Sequence, residues 1–209
     1  MLINLRRALT MAVLCLLFLG FAYAFAGTGV SQVLFKHQAD GSITPNGSTL
    51  IGQNWSDTQC PGHPLGSCVF HGRPDDTGPY AADPKATPPV AGGDNPLVAN
   101  GNSGESGASN LGPHSKVLLT NTQALVAYWH NLGVNPTPDL VTTSGSGYDP
   151  DITPADALAQ IPMVSKATGV SPSALQALIA RETNSAQLGF LGSSYIVVLQ
   201  LNEALAKLR

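Results

Sequence analysis

The chain has 209 residues, enough for one domain with an appendage and too few for two full domains. Only 11% of residues are charged against 43% hydrophobic, and the net charge is -3. With no visible Lys/Arg cluster, this balance excludes a nucleic-acid partner.

The first predicted element is a long apolar helix. Arg6 and Arg7 precede nineteen uncharged residues, 8–26, and the uncharged run continues to Phe35. A nineteen-residue helix reaches ~28 Å, close to the thickness of a bilayer core, and its backbone groups must pair internally. The rival reading is a cleaved signal peptide, because Ala22-Tyr23-Ala24 and Ala24-Phe25-Ala26 both have the small-x-small form. Both readings keep Arg6 and Arg7 in the cytoplasm and send the rest outside. The expected organisation is a cytoplasmic 1–7, a transmembrane helix 8–30, and an extracytoplasmic domain 31–209. Gly20, Ala24, Gly27 and Gly29 would let this helix approach a neighbouring one closely.

Cys60 and Cys68 share the loop QCPGHPLGSCVFHGRP. One reading is a disulfide closing a short loop in an oxidising compartment, with an effect of ~2–3 kcal/mol. The other is a metal site, since Cys60, His63, Cys68 and His71 have a loose C-x2-H-x4-C-x2-H spacing. Cys15, inside the apolar run, is a small apolar residue there.

Farther along, STLIGQNW (48–55) alternates weakly and predicts one short strand. A Gly/Pro/Asn/Ser-rich insertion follows at about 75–105. The stretch 115–133 predicts a helix with Leu118, Leu125, Trp129 and Leu132 on one face, stopped by Gly133. LVTT (140–143) predicts a β-branched strand. Thr153-Pro154 and Ser171-Pro172 each open a helix, with threonine or serine as cap and proline at the first position. YIVVLQLNEALAKLR then begins as a strand and ends as an amphipathic helix. The fold class is α+β: a single N-terminal transmembrane helix followed by one small mixed extracytoplasmic domain.

The loop DLVTTSGSGYDPDITPAD (139–156) is the most suggestive stretch chemically. It lacks the lysine of a phosphate loop, and Asp149 and Asp151 would repel phosphate. It supplies only the first pair of an EF-hand pattern and has no G-x-S-x-G elbow. Its glycines and aspartates suit a rigid turn with carboxylates at a helix start, more apt to contact a partner than to do chemistry.

Several blocks together resemble the C-subunit family of the Kdp-type potassium-transporting P-type ATPases of bacteria. They are GTGVSQVLF after the apolar run, GSTLIGQNW (47–55), FHGRP (70–74), SGASNLGP (106–113), DLVTTSGSGYDPDITPADA (139–157), LGFLG (188–192) and VVLQLNEAL (197–205). The resemblance implies a retained span and a non-catalytic accessory subunit of an inner-membrane potassium-uptake complex, needed for its assembly and activity. The implied partners are a channel-like potassium-binding subunit, the P-type pump subunit, a small membrane peptide and membrane lipid. ATP, Mg and potassium would be used by the complex and no cofactor held by this chain. The family is also linked to assisting ATP binding, although ATP is cytoplasmic and only about seven residues precede the span. The main domain would be periplasmic. Two stretches depart from the family pattern: the one between Trp55 and Phe70, which is longer and carries both cysteines, and the expanded 75–103.

No catalytic, cofactor or metal residue is assigned on this reading. Candidate partner contacts are Gly20, Gly27 and Gly29 in the span and His71, Arg73, Ser144, Ser146, Asp149 and Asp151 in the domain. Asp149, Asp151 and Asp156 would otherwise cap a helix or raise the local cation concentration at a pore. The alternative from a different class is a secreted hydrolase or metal-binding domain. Its only catalytic set would be Ser146, His71 or His114, and Asp151.

Overall fold

A computed structural model describes residues 2–53, 55–56, 58–74, 111–146 and 149–209. The chain divides into two compact units, Met1–Pro45 and Asn46–Arg209. The insertion at about 75–105 lies outside the described residues.

The first unit is dominated by helix α1, Leu2–Leu34, long and apolar enough to cross a bilayer and without a buried residue. Its middle, Leu16–Ala22, is π-helical, and the Tyr23 N–H bonds to the Phe18 carbonyl five residues back. The Thr10 and Thr28 hydroxyls donate to the Arg6 and Ala24 carbonyls at 2.9 Å, so both threonines are satisfied within the helix. Phe35 leaves helical geometry, and Lys36 begins a single turn, α2 (Lys36–Ala39). Lys36 pairs with Asp40 at 2.7 Å, so the first charges after the apolar run neutralise each other.

The second unit is built around helices α3 (Lys116–Asn131), α4 (Pro154–Thr168), α5 (Pro172–Glu182) and α6 (Val198–Ala206). A two-residue antiparallel pair, β1 (Asp151–Ile152) with β2 (Ile196–Val197), joins the loop before α4 to the strand entering α6. The Val198 N–H extends it to the Pro150 carbonyl at 2.9 Å. Phe70, Leu125, Trp129, Leu140, Val164 and Leu201 are among the fully buried side chains of one core. Both predicted helix starts are present. Ser171 accepts from the Ala174 N–H, and Thr153 and Asp156 form a reciprocal capping box. Thr137 donates to the second oxygen of Asp156, which explains how a carboxylate only 1% exposed is tolerated. Gly169, at φ 75°, ends α4 in the left-handed region that glycine adopts freely.

Two predicted strands do not form as expected. Among the described residues of 48–55 only Ser48, in the two-residue strand Gly47–Ser48, is extended and paired, while Leu50 and Ile51 are both more than half exposed and offer no inward face. At 140–143 the chain forms a 3-10 turn, Asp139–Val141, with Pro138 at its cap. Leu140 and Val141 are both buried in succession, which strand alternation forbids in a half-exposed strand. Trp129 reinforces the turn by donating its indole N–H to the Leu140 carbonyl at 2.9 Å.

Candidate partner-contact site

The segment 69–73 crosses the second unit without belonging to a strand, yet its backbone is paired as though it did. The Phe70 N–H donates to Asn202 Oδ1 at 2.8 Å, and Asn202 Nδ2 donates to the Phe70 carbonyl at 2.8 Å. The next residue repeats the pattern with another helix. The His71 N–H donates to Gln160 Oε1 at 2.8 Å, and Gln160 Nε2 donates to the His71 carbonyl at 3.0 Å. A carboxamide carries one acceptor and a donor group on one planar head, so it can match a residue's N–H and C=O as a neighbouring strand would. Asn202 from α6 and Gln160 from α4 thus fix two consecutive residues, and both amides are buried.

His71 itself is interior, 3% exposed. Its Nε2 is 2.8 Å from the Gly66 carbonyl, and its ring meets Trp129 edge-on with centroids 5.5 Å apart. Burial lowers its pKa to about 4, only partly opposed by the Gly66 carbonyl, so the ring is neutral and Nε2 carries the proton. Gly66 belongs to a loop closed by the Cys60–Cys68 disulfide. The Cys68 carbonyl in turn accepts from Arg209. The thiolates a metal would need are therefore joined to each other, which removes the C-x2-H-x4-C-x2-H reading. Of the two histidines in the hydrolase alternative, His71 is unavailable, because its ring nitrogen is committed to the Gly66 carbonyl inside the core, and His114 is exposed just ahead of α3.

This segment, residues 69–73, is a strap across the second unit, and it ends by directing Arg73 toward the 139–151 loop. Its guanidinium donates to the Thr143 carbonyl at 3.1 Å and the Thr142 carbonyl at 3.4 Å. Asp139 lies 3.7 Å away and Asp149 4.0 Å away. The loop is further braced from within. Ser144 and Ser146 share a hydroxyl contact of 2.8 Å, the Ser146 N–H donates to Ser144, and Asp149 accepts from the Asp151 N–H at 3.1 Å. Asp151 is half-buried, one of its oxygens is buried without a hydrogen bond, and burial together with Asp149 pushes its pKa up to about 6. Gly147 and Tyr148 lie outside the described residues.

The structure therefore brings His71, Arg73, Ser144, Asp149 and Asp151 into one bonded neighbourhood, with His71 behind it rather than on it. In α1, Gly20 is within the π segment, and a Cβ there would meet only the Leu16 side chain, at 3.3 Å. A Cβ on Gly27 or Gly29 would meet nothing within 4 Å, so that flank is open. Sequence reasoning missed Gln160 and Asn202, although each sits at helical spacing among apolar residues: Ala157, Ile161 and Val164 for one, Val198, Leu201 and Leu205 for the other.

The family model for KdpC, described as the K+-transporting ATPase c chain, matches residues 5–207. A potassium-transporting ATPase KdpC subunit of Rhodopseudomonas palustris is 41% identical over 194 residues, 89% of this chain and 88% of that one. The correspondingly named subunit of Methylorubrum extorquens is 39% identical over 215 residues, covering 100% and 98%. That of Caulobacter vibrioides is 39% identical over 213 residues, covering 98% and 93%.

Proposed function

The chain belongs to the KdpC family, the K+-transporting ATPase c chain, and on that premise we propose that it is a non-catalytic, single-pass accessory subunit of an ATP-driven potassium-uptake complex. The observation that carries this reading is the extent of the family match, which takes in both the apolar helix and the folded unit. In this reading α1 is retained in the inner membrane and uses Gly20, Gly27 and Gly29 for close approach to partner helices. Arg6 and Arg7 hold the N-terminus in the cytoplasm and the domain is periplasmic. Its partners are the channel-like subunit, the pump subunit and the small membrane peptide.

The polar face made by Arg73, Ser144, Ser146, Asp149 and Asp151 is a docking face. Its hydrogen bonds tie down residues 142–146 and 149–151 before contact, which lowers the ordering cost of association. His71 serves that face from behind by fixing the strap. ATP, Mg and potassium are used by the partners. With the domain across the membrane from ATP, any assistance to nucleotide binding is indirect.

The test is purification from native membranes through a tag on this chain. Full-length chain that resists alkaline wash and brings with it a many-spanning subunit and an ATPase is the expected result. A trimmed, freely soluble chain that purifies alone overturns the reading.

A further inference from the structure

The Cys60–Cys68 disulfide is covered in part by chain that is made after it. Cys60 is 5% exposed and Cys68 3%. With Val69 they form a small second core packed against Trp55 and against Ala167 of α4. Arg209, 141 positions beyond Cys68, donates to the Cys68 carbonyl. Disulfides form and break by attack of a thiolate on a sulfur, through a mixed disulfide, so the attacking group must reach that sulfur. Sulfurs this buried exchange with an outside partner only while the second unit is open.

The same pair governs one anchor of the strap. Residues 58–73 contain no helix or strand, so covalent closure is what limits the conformations of this loop most. Inside the ring the Cys68 N–H donates to Cys60 Sγ at 3.0 Å, and the Gly66 N–H donates to the Thr58 carbonyl at 2.8 Å. The Gly66 carbonyl is thereby held against His71 Nε2. With the ring open the loop can spread, and the buried His71 N–H loses its acceptor. Asn202 and Gln160 hold only the backbone of Phe70 and His71, and the next charged side chain along the strap is Arg73.

We propose that this chain is the substrate of a disulfide-bearing oxidant on the outer side of the membrane, and that its Arg73 face docks only after that reaction. One cysteine thiolate attacks the oxidant's disulfide, forming a mixed disulfide and releasing one oxidant thiolate. The other cysteine thiolate attacks the chain's sulfur in that mixed disulfide, which closes Cys60–Cys68 and releases the oxidant's second thiolate. Two electrons and two protons pass from the chain to the oxidant, which is left as two thiols. The reaction precedes closure of α4 and Arg209 over the pair. The inference rests on the subunit reading above, since it requires both an oxidising compartment and a docking partner.

It is tested in cells that make the intact complex in medium with or without dithiothreitol. Part of each sample is acid-quenched and alkylated in denaturant, and the rest is purified through a tag on this chain. One adduct, at Cys15, is expected without reductant and three with it. The reduced chain should retain the other subunits about tenfold less well. The double variant Cys60→Ser with Cys68→Ser, made without reductant, should show the same loss, which separates this pair from cysteines elsewhere in the complex. Dithiothreitol added after assembly should leave the pair oxidised in native detergent solution and reduce it in urea. Equal retention of oxidised and reduced chain, full retention by the serine variant, or native reduction as fast as in urea overturns the inference and leaves the subunit reading standing. An oxidised wild-type chain that retains no other subunit overturns both.

Discussion

Gly66 shows how much a single hydrogen atom decides in this fold. At φ 72° it occupies backbone space that side-chain-bearing residues rarely adopt. A Cβ there would lie 2.7 Å from His71 Cε1 and 2.9 Å from the Ser56 backbone. Neither neighbour can yield, since one is ring and the other main chain. Gly66→Ala should cost about 2–4 kcal/mol, read as a lower urea midpoint of the detergent-solubilised chain. His71 gives the same region a dependence on pH. Its pKa falls from 6.5 to about 4 on folding, so between those values the unfolded chain binds the extra proton. The associated stability, about 3 kcal/mol in order of magnitude, is complete above pH 6.5 and drains as pH falls toward 4. Asp151 works against it. Its pKa rises from 3.8 to about 6, so folding is favoured as pH falls through that window, by about 1 kcal/mol after screening of a half-exposed group. Melting temperatures followed across this range should show a flatter acid decline for His71→Gln and a steeper one for Asp151→Asn.

At the scale of elements, the carboxamide strap replaces a strand. Gln160→Leu keeps the volume but leaves the His71 N–H and carbonyl buried without partners, which should cost about 2–4 kcal/mol. Gln176→Leu, at an exposed site on α5, should move stability by less than about 0.5 kcal/mol. Chemical denaturation of the two variants separates a strap from generic glutamine loss. The helices were legible because their ends are written locally: Thr153-Pro154 and Ser171-Pro172 cap with their own side chains. So was the inward face of α3, where Leu125 and Trp129 are buried as their spacing predicts. The strands expected at 48–55 and 140–143 were not, because β-branched or alternating residues become strands only when a partner edge exists. The strap escaped notice because its pairing joins residues 132 and 89 positions apart. Its only trace in the sequence is a polar residue inside an apolar stripe.

For the whole molecule, the α+β class and the apolar helix were readable from periodicity and charge. The blocks FHGRP and LGFLG were legible as motifs, yet their burial was not. FHGRP contributes a buried phenylalanine and histidine and one largely buried arginine that bonds to the Thr142 and Thr143 carbonyls. LGFLG, by contrast, is all surface. No local rule distinguishes these, since burial depends on which helices close over a segment. The strap has one more effect. Phe70 and His71 lie in irregular chain, where amide protons ordinarily trade with water quickly. Here each proton is held by a carboxamide anchored in a different helix, so the Phe70 proton is released only when α6 parts from the strap and the His71 proton only when α4 does. In deuterated solvent these two positions should label as slowly as the middle of α4. Their two labelling rates, taken together, thereby become a gauge of whether α4 and α6 open as one, set in a stretch where such a gauge would not be sought.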